Sequence, residues 1–281
     1  MGKKLQDMLE LVTPAMIFPF VNRLRGHLPK EIYGLSGNYH NWDEAKSAST
    51  GYDNGIILEK TKTALFKVKK GDAAYERDSV LFDEIQYDWP VLAGLMWVAA
   101  QCGGRLNVLD FGGSLGSTYF HNRVFLSSLS GEVRWNVVEQ PGHVAVGKAY
   151  FADATLRFYG SIAECLATGT HPNVVLLSSV LQYLEHSHTV LKQIFELPCG
   201  HIIIDRTPFW DGPTDRLCVQ RVPPHIYPAS YPSWIFSRSQ FYSRIHKKWE
   251  MMITFDNPDR IAGPVDFSYQ GMILVRKKDL P

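Results

Sequence analysis

The chain has no CxxC pair, no excess of either charge and no apolar run long enough to cross a bilayer. Each absence removes a class of function. Cys102, Cys165, Cys199 and Cys218 are scattered, which excludes a zinc knuckle and a thioredoxin-like site. A disulfide framework does not suit a chain of 281 residues, and reduced thiols point to the cytoplasm. A net charge of +1 leaves no electrostatic footprint for nucleic acid, so no such partner is expected. The apolar stretch from Leu11 to Val21 is interrupted by Pro14 and Pro19. It is too short to span a membrane and no small-residue cleavage site follows it. Gln6 breaks the myristoylation pattern. Lys3, Lys4, Arg23 and Arg25 flank the stretch, so contact with a membrane surface is the alternative to a helix packed on the body or on a partner. The packed helix is the preferred reading. In Glu185-His186-Ser187-His188 the two histidines would point apart on a helix, and no metal is expected. There is no repeat and no low-complexity tract.

The composition, 45% apolar and 20% charged, is that of one large domain or of a domain with an appendage. Residues 27–75 are aromatic and polar with little periodicity. Asp43 to Lys46 reads as a short helix, and Gly51 and Gly55 as turns. From Asp78 to Ala100 the apolar residues Val80, Leu81, Ile85, Trp89, Leu92, Leu95, Met96 and Ala99 keep helical spacing, divided by Pro90. A strand–helix alternation follows. Strands are predicted at 105–111, 132–139, 156–160, 173–179 and 201–205, and helices at 117–129, 143–151, 162–168 and 189–197. Two last strands, 248–255 and 269–276, are joined by about a dozen residues and so pair antiparallel. The predicted fold is α/β: a doubly wound, Rossmann-like, seven-stranded sheet with an antiparallel C-terminal hairpin. A mainly helical N-terminal extension, residues 1–77, would precede the Rossmann-like domain at 78–281.

The informative stretch is LNVLDFGGSLGSTYF, residues 106–120. A buried strand ends in Asp110, and Gly112, Gly113 and Gly116 follow. Ligands of doubly wound sheets bind beyond the carboxyl ends of the strands, and glycine there allows close backbone approach. A dinucleotide loop, GxGxxG, needs glycine at 114 and 117, where the chain has Ser114 and Ser117. A nicotinamide oxidoreductase is therefore the runner-up. The next strand ends in Glu139, placed to accept hydrogen bonds from two ribose hydroxyls.

The run D-x-G-x-S-x-G from Asp110 to Gly116 resembles motif I of class I S-adenosylmethionine (SAM) methyltransferases, D-x-G-x-G-x-G, with Ser114 for the middle glycine. That exchange is compatible with a negative φ at Ser114. Further motifs in order are W-x-x-A…S-T-G-Y-D (Trp42, Ala45 and Ser49 to Asp53), VVEQP, LLSSVLQYLE, IIIDRTPF and YPSWIFS at 231–237. Together they resemble a group of class I methyltransferases often associated with bacterial surface-polysaccharide biosynthesis. The resemblance implies SAM as cofactor, held by Asp110, Gly112, Gly113, Ser114, Glu139, Gln140, Ser161, Ser178, Ser179 and Gln182. Beyond that the resemblance supplies the reaction class alone; the leading expectation for the acceptor is a small polar molecule, such as a sugar hydroxyl or an amine on a glycan or nucleotide-sugar.

Candidate proton acceptors are Asp205, after the fourth clear strand, and His186, after the LLSSVLQYLE motif. Arg206 can clamp an acidic acceptor. The Pro- and aromatic-rich segment 222–237 reads as a lid whose His225, Tyr227, Tyr231 and Trp234 form a stacking wall, joined by Trp42 and Tyr52. A non-catalytic SAM-binding domain is the remaining alternative.

Overall fold

Apolar strands alternating with amphipathic helices produce a sheet covered on both faces. The computed structural model describes residues 33–51, 54–77, 79–224, 226, 228–245 and 248–277. In chain order the elements are β1 (Gly34–Tyr39), α1 (Trp42–Ser47), α2 (Asn54–Lys70), β2 (Tyr75–Arg77), β3 (Val80–Phe82), α3 (Trp89–Gln101) and β4 (Leu106–Phe111). Next come α4 (Ser117–Leu126), β5 (Val133–Val138), α5 (Pro141–Tyr150), β6 (Leu156–Tyr159), α6 (Ile162–Ala167), β7 (Val174–Ser178) and a 3-10 turn (Leu181–Tyr183). The last are α7 (Ser187–Phe195), β8 (His201–Trp210), β9 (Arg216–Arg221), β10 (Ser230–Ser237), α8 (Arg238–Arg244), β11 (Trp249–Asp256) and β12 (Ser268–Arg276).

The main sheet runs β6-β5-β4-β7-β8-β12-β11. Neighbours from β6 to β8 are parallel, and β12 is antiparallel to both β8 and β11. This is the seven-stranded, doubly wound sheet with a reversed hairpin that the alternation predicts. The two faces carry separate cores. Leu106, Val108, Trp135, Val137, Val174, Leu176 and Ile203 face one, with helices α2 to α5; Leu109, Val138, Val175, Leu177, Ile202 and Ile204 face the other, with α6 to α8. The two-residue alternation of a strand therefore puts Asp110, Glu139, Ser178 and Asp205 on the same face as Val108, Trp135, Leu176 and Ile203.

Three further strands differ from the expectation. β10 pairs in parallel with the end of β8 (Phe236 with Phe209), and β9 and β1 extend this branch antiparallel. β7 stops at the Ser178–Asp205 rung, so β8 passes from one neighbour to another along that edge. Residues 230–237 are thus a sheet strand, where a lid was expected. The helical pattern at 78–100 is also only half realised: β2 and β3 make a hairpin, and the helix starts at Trp89 under an Asp88 cap with Pro90 in its first turn. That hairpin straddles the expected division at residue 77, and the described residues from Tyr33 onward form one compact unit.

Candidate active site at the strand ends

The loop after β4 is shaped by what lies beneath it. Asp110 is 1% exposed, and its Oδ2 accepts a hydrogen bond from Trp135 Nε1 at 2.9 Å. A Cβ on Gly113 would collide with that carboxylate, and one on Gly112 with Val180. Gly112 and Gly116 have φ of +75° and +89°, and Gly116 N bonds Gly113 O at 2.9 Å to close the turn into α4. Ser114 has φ +53°, the reverse of the negative φ expected for it. A serine in the left-handed region is strained by about 1–2 kcal/mol. Burial drives the Asp110 carboxyl up to about 7; the Trp135 hydrogen bond works against this and the Glu139 charge adds to it.

Glu139 follows β5 and its side chain is 13% exposed. Its Oε2 accepts Gln140 N at 2.6 Å and lies 3.9 Å from His143 Nδ1. Among the described residues none bonds Oε1, so an acceptor oxygen is left at the strand end. Gln140 itself is exposed. Ser161 is exposed too, and it caps α6 by accepting Glu164 N at 3.0 Å while Glu164 Oε2 accepts Gly160 N at 2.6 Å. Ser161 and Glu164 thus hold the entry into α6 reciprocally.

The second half of the site is the β7–β8 fork. Ser178 Oγ donates to Asp205 Oδ2 at 2.8 Å, and Asn257 Nδ2 donates to Oδ1 at 3.4 Å. Arg206 Nε lies 3.7 Å from Oδ2. Asp205 is 1% exposed. Burial raises its carboxyl to about 7, and the neighbouring Asp88 carboxylate raises it further, while Arg206 and Ser178 oppose. Asp205 and Arg206 together face Gly271 of β12, since Ile204 pairs with Met272 and Thr207 with Gln270. This is a β-bulge, a device that re-aims side chains beside sites. Arg206 takes φ +47° and Ser179 φ +53°. Gln182, fully buried in the 3-10 turn, ties both down: its Nε2 donates to Ser179 Oγ at 3.1 Å and to Arg206 O at 3.2 Å. Its Oε1 has no partner among the described residues.

The remaining candidates lie elsewhere. The His186 side chain is 76% exposed, with Glu185 Oε1 3.7 Å from its Nε2. Tyr231 is buried, edge-on to Tyr183 at 5.3 Å, as part of a small core and not a stacking wall. Trp42 and Trp234 do meet, at 6.1 Å, on the β9–β10 branch, with Trp234 Nε1 donating to Leu184 O at 3.1 Å. Tyr52, His225 and Tyr227 lie outside the described residues. Sequence reasoning missed Asp88, Trp135 and Asn257. Asp88 alone carried a local signal, the cap-and-proline start Asp88-Trp89-Pro90.

No protein-family model matches the chain, and no curated protein is similar to it in sequence. Solved structures are similar to the chain at low identity. The N-terminal domain of EvdMO1, in the presence of S-adenosylhomocysteine (SAH) and D-fucose, is 13% identical with TM-score 0.45, over 80% of this chain and 97% of that one. Magnesium protoporphyrin IX methyltransferase (ChlM) from Synechocystis PCC 6803 with bound SAH gives 13%, 0.45, 80% and 100%. The glycopeptide N-methyltransferase MtfA complexed with SAM gives 11%, 0.43, 66% and 87%.

Proposed function

We propose that this chain is a SAM-dependent methyltransferase acting on a small polar acceptor, such as a sugar hydroxyl or an amine. One observation carries the reading. Non-glycine residues in the left-handed region follow the ends of β4 and β7, Ser114 and Ser179, and a third, Arg206, sits at the bulge within the adjacent β8. Strained backbone of this kind persists where surrounding structure enforces it, and it clusters at binding and catalytic sites. The residues present suit an adenosyl sulfonium ligand. Glu139 keeps one carboxylate oxygen for ribose hydroxyls. The loop after β4 offers a close backbone approach at Gly112 and Gly113. A pyrophosphate cradle of the GxGxxG type is absent from that loop, which disfavours the nicotinamide alternative.

When bound, SAM supplies an already activated methyl group. The chain then has to align an acceptor and, for a hydroxyl, hold its proton. Asp205 suits the second task. A carboxyl raised to about 7 is close to the operating pH, where a general base is most effective. Ser178 and Asn257 fix its rotamer, and Arg206 beside it provides positive charge toward an anionic acceptor.

Isothermal calorimetry with SAM, SAH and NAD tests the reading. Saturable heat is expected with SAM and SAH and none with NAD. A folded protein that binds neither adenosyl compound refutes it. Binding without turnover across a panel of nucleotide-sugars would favour a non-catalytic SAM-binding domain.

A further inference from the structure

The first turns of α2 lie across the strand ends. Leu58 stands over Gly142, just past Glu139: a Cβ on that glycine would touch Leu58 Cδ2 at 3.4 Å. The neighbouring Ile57 packs with Val222, Ala229 and Tyr231, against Tyr183 of the turn that follows β7. β5 and β7 flank β4 in the sheet. With neighbouring strands about 4.8 Å apart, two adjacent side chains of α2 bridge the roughly 10 Å between β5 and β7. The Gly112–Gly116 loop, which leaves β4, lies between them.

The segment that leads into α2 is clasped to β10. Thr50 N donates to Ser230 Oγ and Ser230 N donates to Thr50 Oγ1, both at 2.9 Å, and Gly51 bridges to Ser230. Lys60 Nζ donates to the Ile226 carbonyl. These fastenings are local. The Ile57 cluster is separate from both main cores; Leu58 rests partly buried against the core beneath α3 to α5, to which Leu65 and Val68, later in α2, belong as buried members. A satellite cluster, one partly buried leucine and a few hydrogen bonds can open without unfolding the domain.

We propose that the amino-terminal turns of α2 form a strap that must lift before a ligand reaches the Gly112–Gly116 loop and Glu139. The Thr50–Ser230 clasp and the Ile57 plug hold it shut, and the carboxyl half of α2 stays anchored as the hinge. The ligand named here rests on the SAM reading above; the strap itself does not.

The test is the double variant Thr50→Cys, Ser230→Cys in the full chain, compared with itself oxidised and reduced. Mass spectrometry confirms the new disulfide. Hydrogen exchange is followed at the Gly112–Gly116 amides, and SAH association by stopped flow. Oxidation is expected to slow both by about tenfold or more, and reduction to restore them. Ile57→Ala is expected to speed exchange at the same amides. Equal exchange in the two redox states overturns the strap, as does failure of the disulfide to form under oxidant. Slower exchange with no SAH binding in either state upholds the strap and refutes the SAM reading.

Discussion

Replacing Asp110 with asparagine should make the ligand-free protein less stable than the parent by about 1–3 kcal/mol at acid pH and as stable or more stable at alkaline pH. The carboxyl is fully buried and titrates near 7 in the folded state, against an ordinary value of 3.8. That gap corresponds to roughly 4 kcal/mol against the ionised form. The sign follows from proton linkage. Between about pH 4 and 7 the folded state binds the proton that the unfolded state has already released, so stability falls as pH rises through that window. Above pH 7 the whole penalty is present; below pH 4 it is gone. In Asp110→Asn the amide oxygen still accepts the Trp135 N–H, but nothing titrates. Its new amide hydrogens lack an assured partner, which costs about 1–3 kcal/mol at every pH. The difference between variant and parent should therefore grow by a few kcal/mol from pH 5 to pH 8.5. At about 2–4 °C per kcal/mol in a chain of this size, that is a divergence of several degrees in Tm. Thermal unfolding at pH 5, 7 and 8.5 measures it. Parallel Tm profiles for the two proteins would refute a buried carboxyl titrating near neutrality.

Glu139→Ala should weaken SAH binding by about 1–3 kcal/mol, roughly five- to 150-fold by calorimetry, because two hydrogen bonds to a charged group are lost. An unchanged Kd would remove Glu139 from the ribose site. Asp88→Asn keeps an α3 cap, since asparagine caps as well as aspartate, but deletes the charge that helps raise Asp205. The Asp205 carboxyl, followed by carbon-13 NMR, should then titrate below 7; an unmoved midpoint would show that burial alone sets it.

The main sheet was legible because its strands are short apolar runs closed by small or acidic residues, as in NVLDFGG and NVVLLSS. Runs containing proline were among those that failed. β8 continues through Pro208, and β10 contains Pro232. Proline usually demotes a run from strand, but Pro208 sits between the last rung with β7 at Asp205 and the first with β10 at Phe209. α2 was missed although its signal is present. Ile57, Leu58, Thr61, Ala64, Leu65 and Val68 follow helical spacing, and the glycines at 51 and 55 masked it. Of the site, the residues at strand ends could be placed by the rule for doubly wound sheets. Asp88, Trp135 and Asn257 could not, because each acts on an acid far away in the sequence.

Two buried acids raised to about 7, Asp110 and Asp205, and three left-handed residues, Ser114, Ser179 and Arg206, lie on the neighbouring strands β4, β7 and β8 or just past them. Their arrangement explains why the fold tolerates them. Gln182 lies in the turn after β7, and its one amide nitrogen holds the Ser179 hydroxyl on one side of the Ser178–Asp205 rung and the Arg206 carbonyl on the other. The β8 bulge opposite Gly271 turns Arg206 out of register, so that Asp205 keeps the core-facing side while its neighbour is partly exposed. A fully apolar residue at 205 would remove the desolvation penalty and leave Ser178 and Asn257 without an acceptor, exchanging one buried unsatisfied group for two. Keeping the acid is thus consistent with packing as well as with chemistry. Packing alone, however, would be met by asparagine, which cannot take a proton from an acceptor. Retention of activity in Asp205→Asn would therefore place the base elsewhere, whereas lost turnover with unchanged SAH affinity fits only a carboxylate that works on the acceptor.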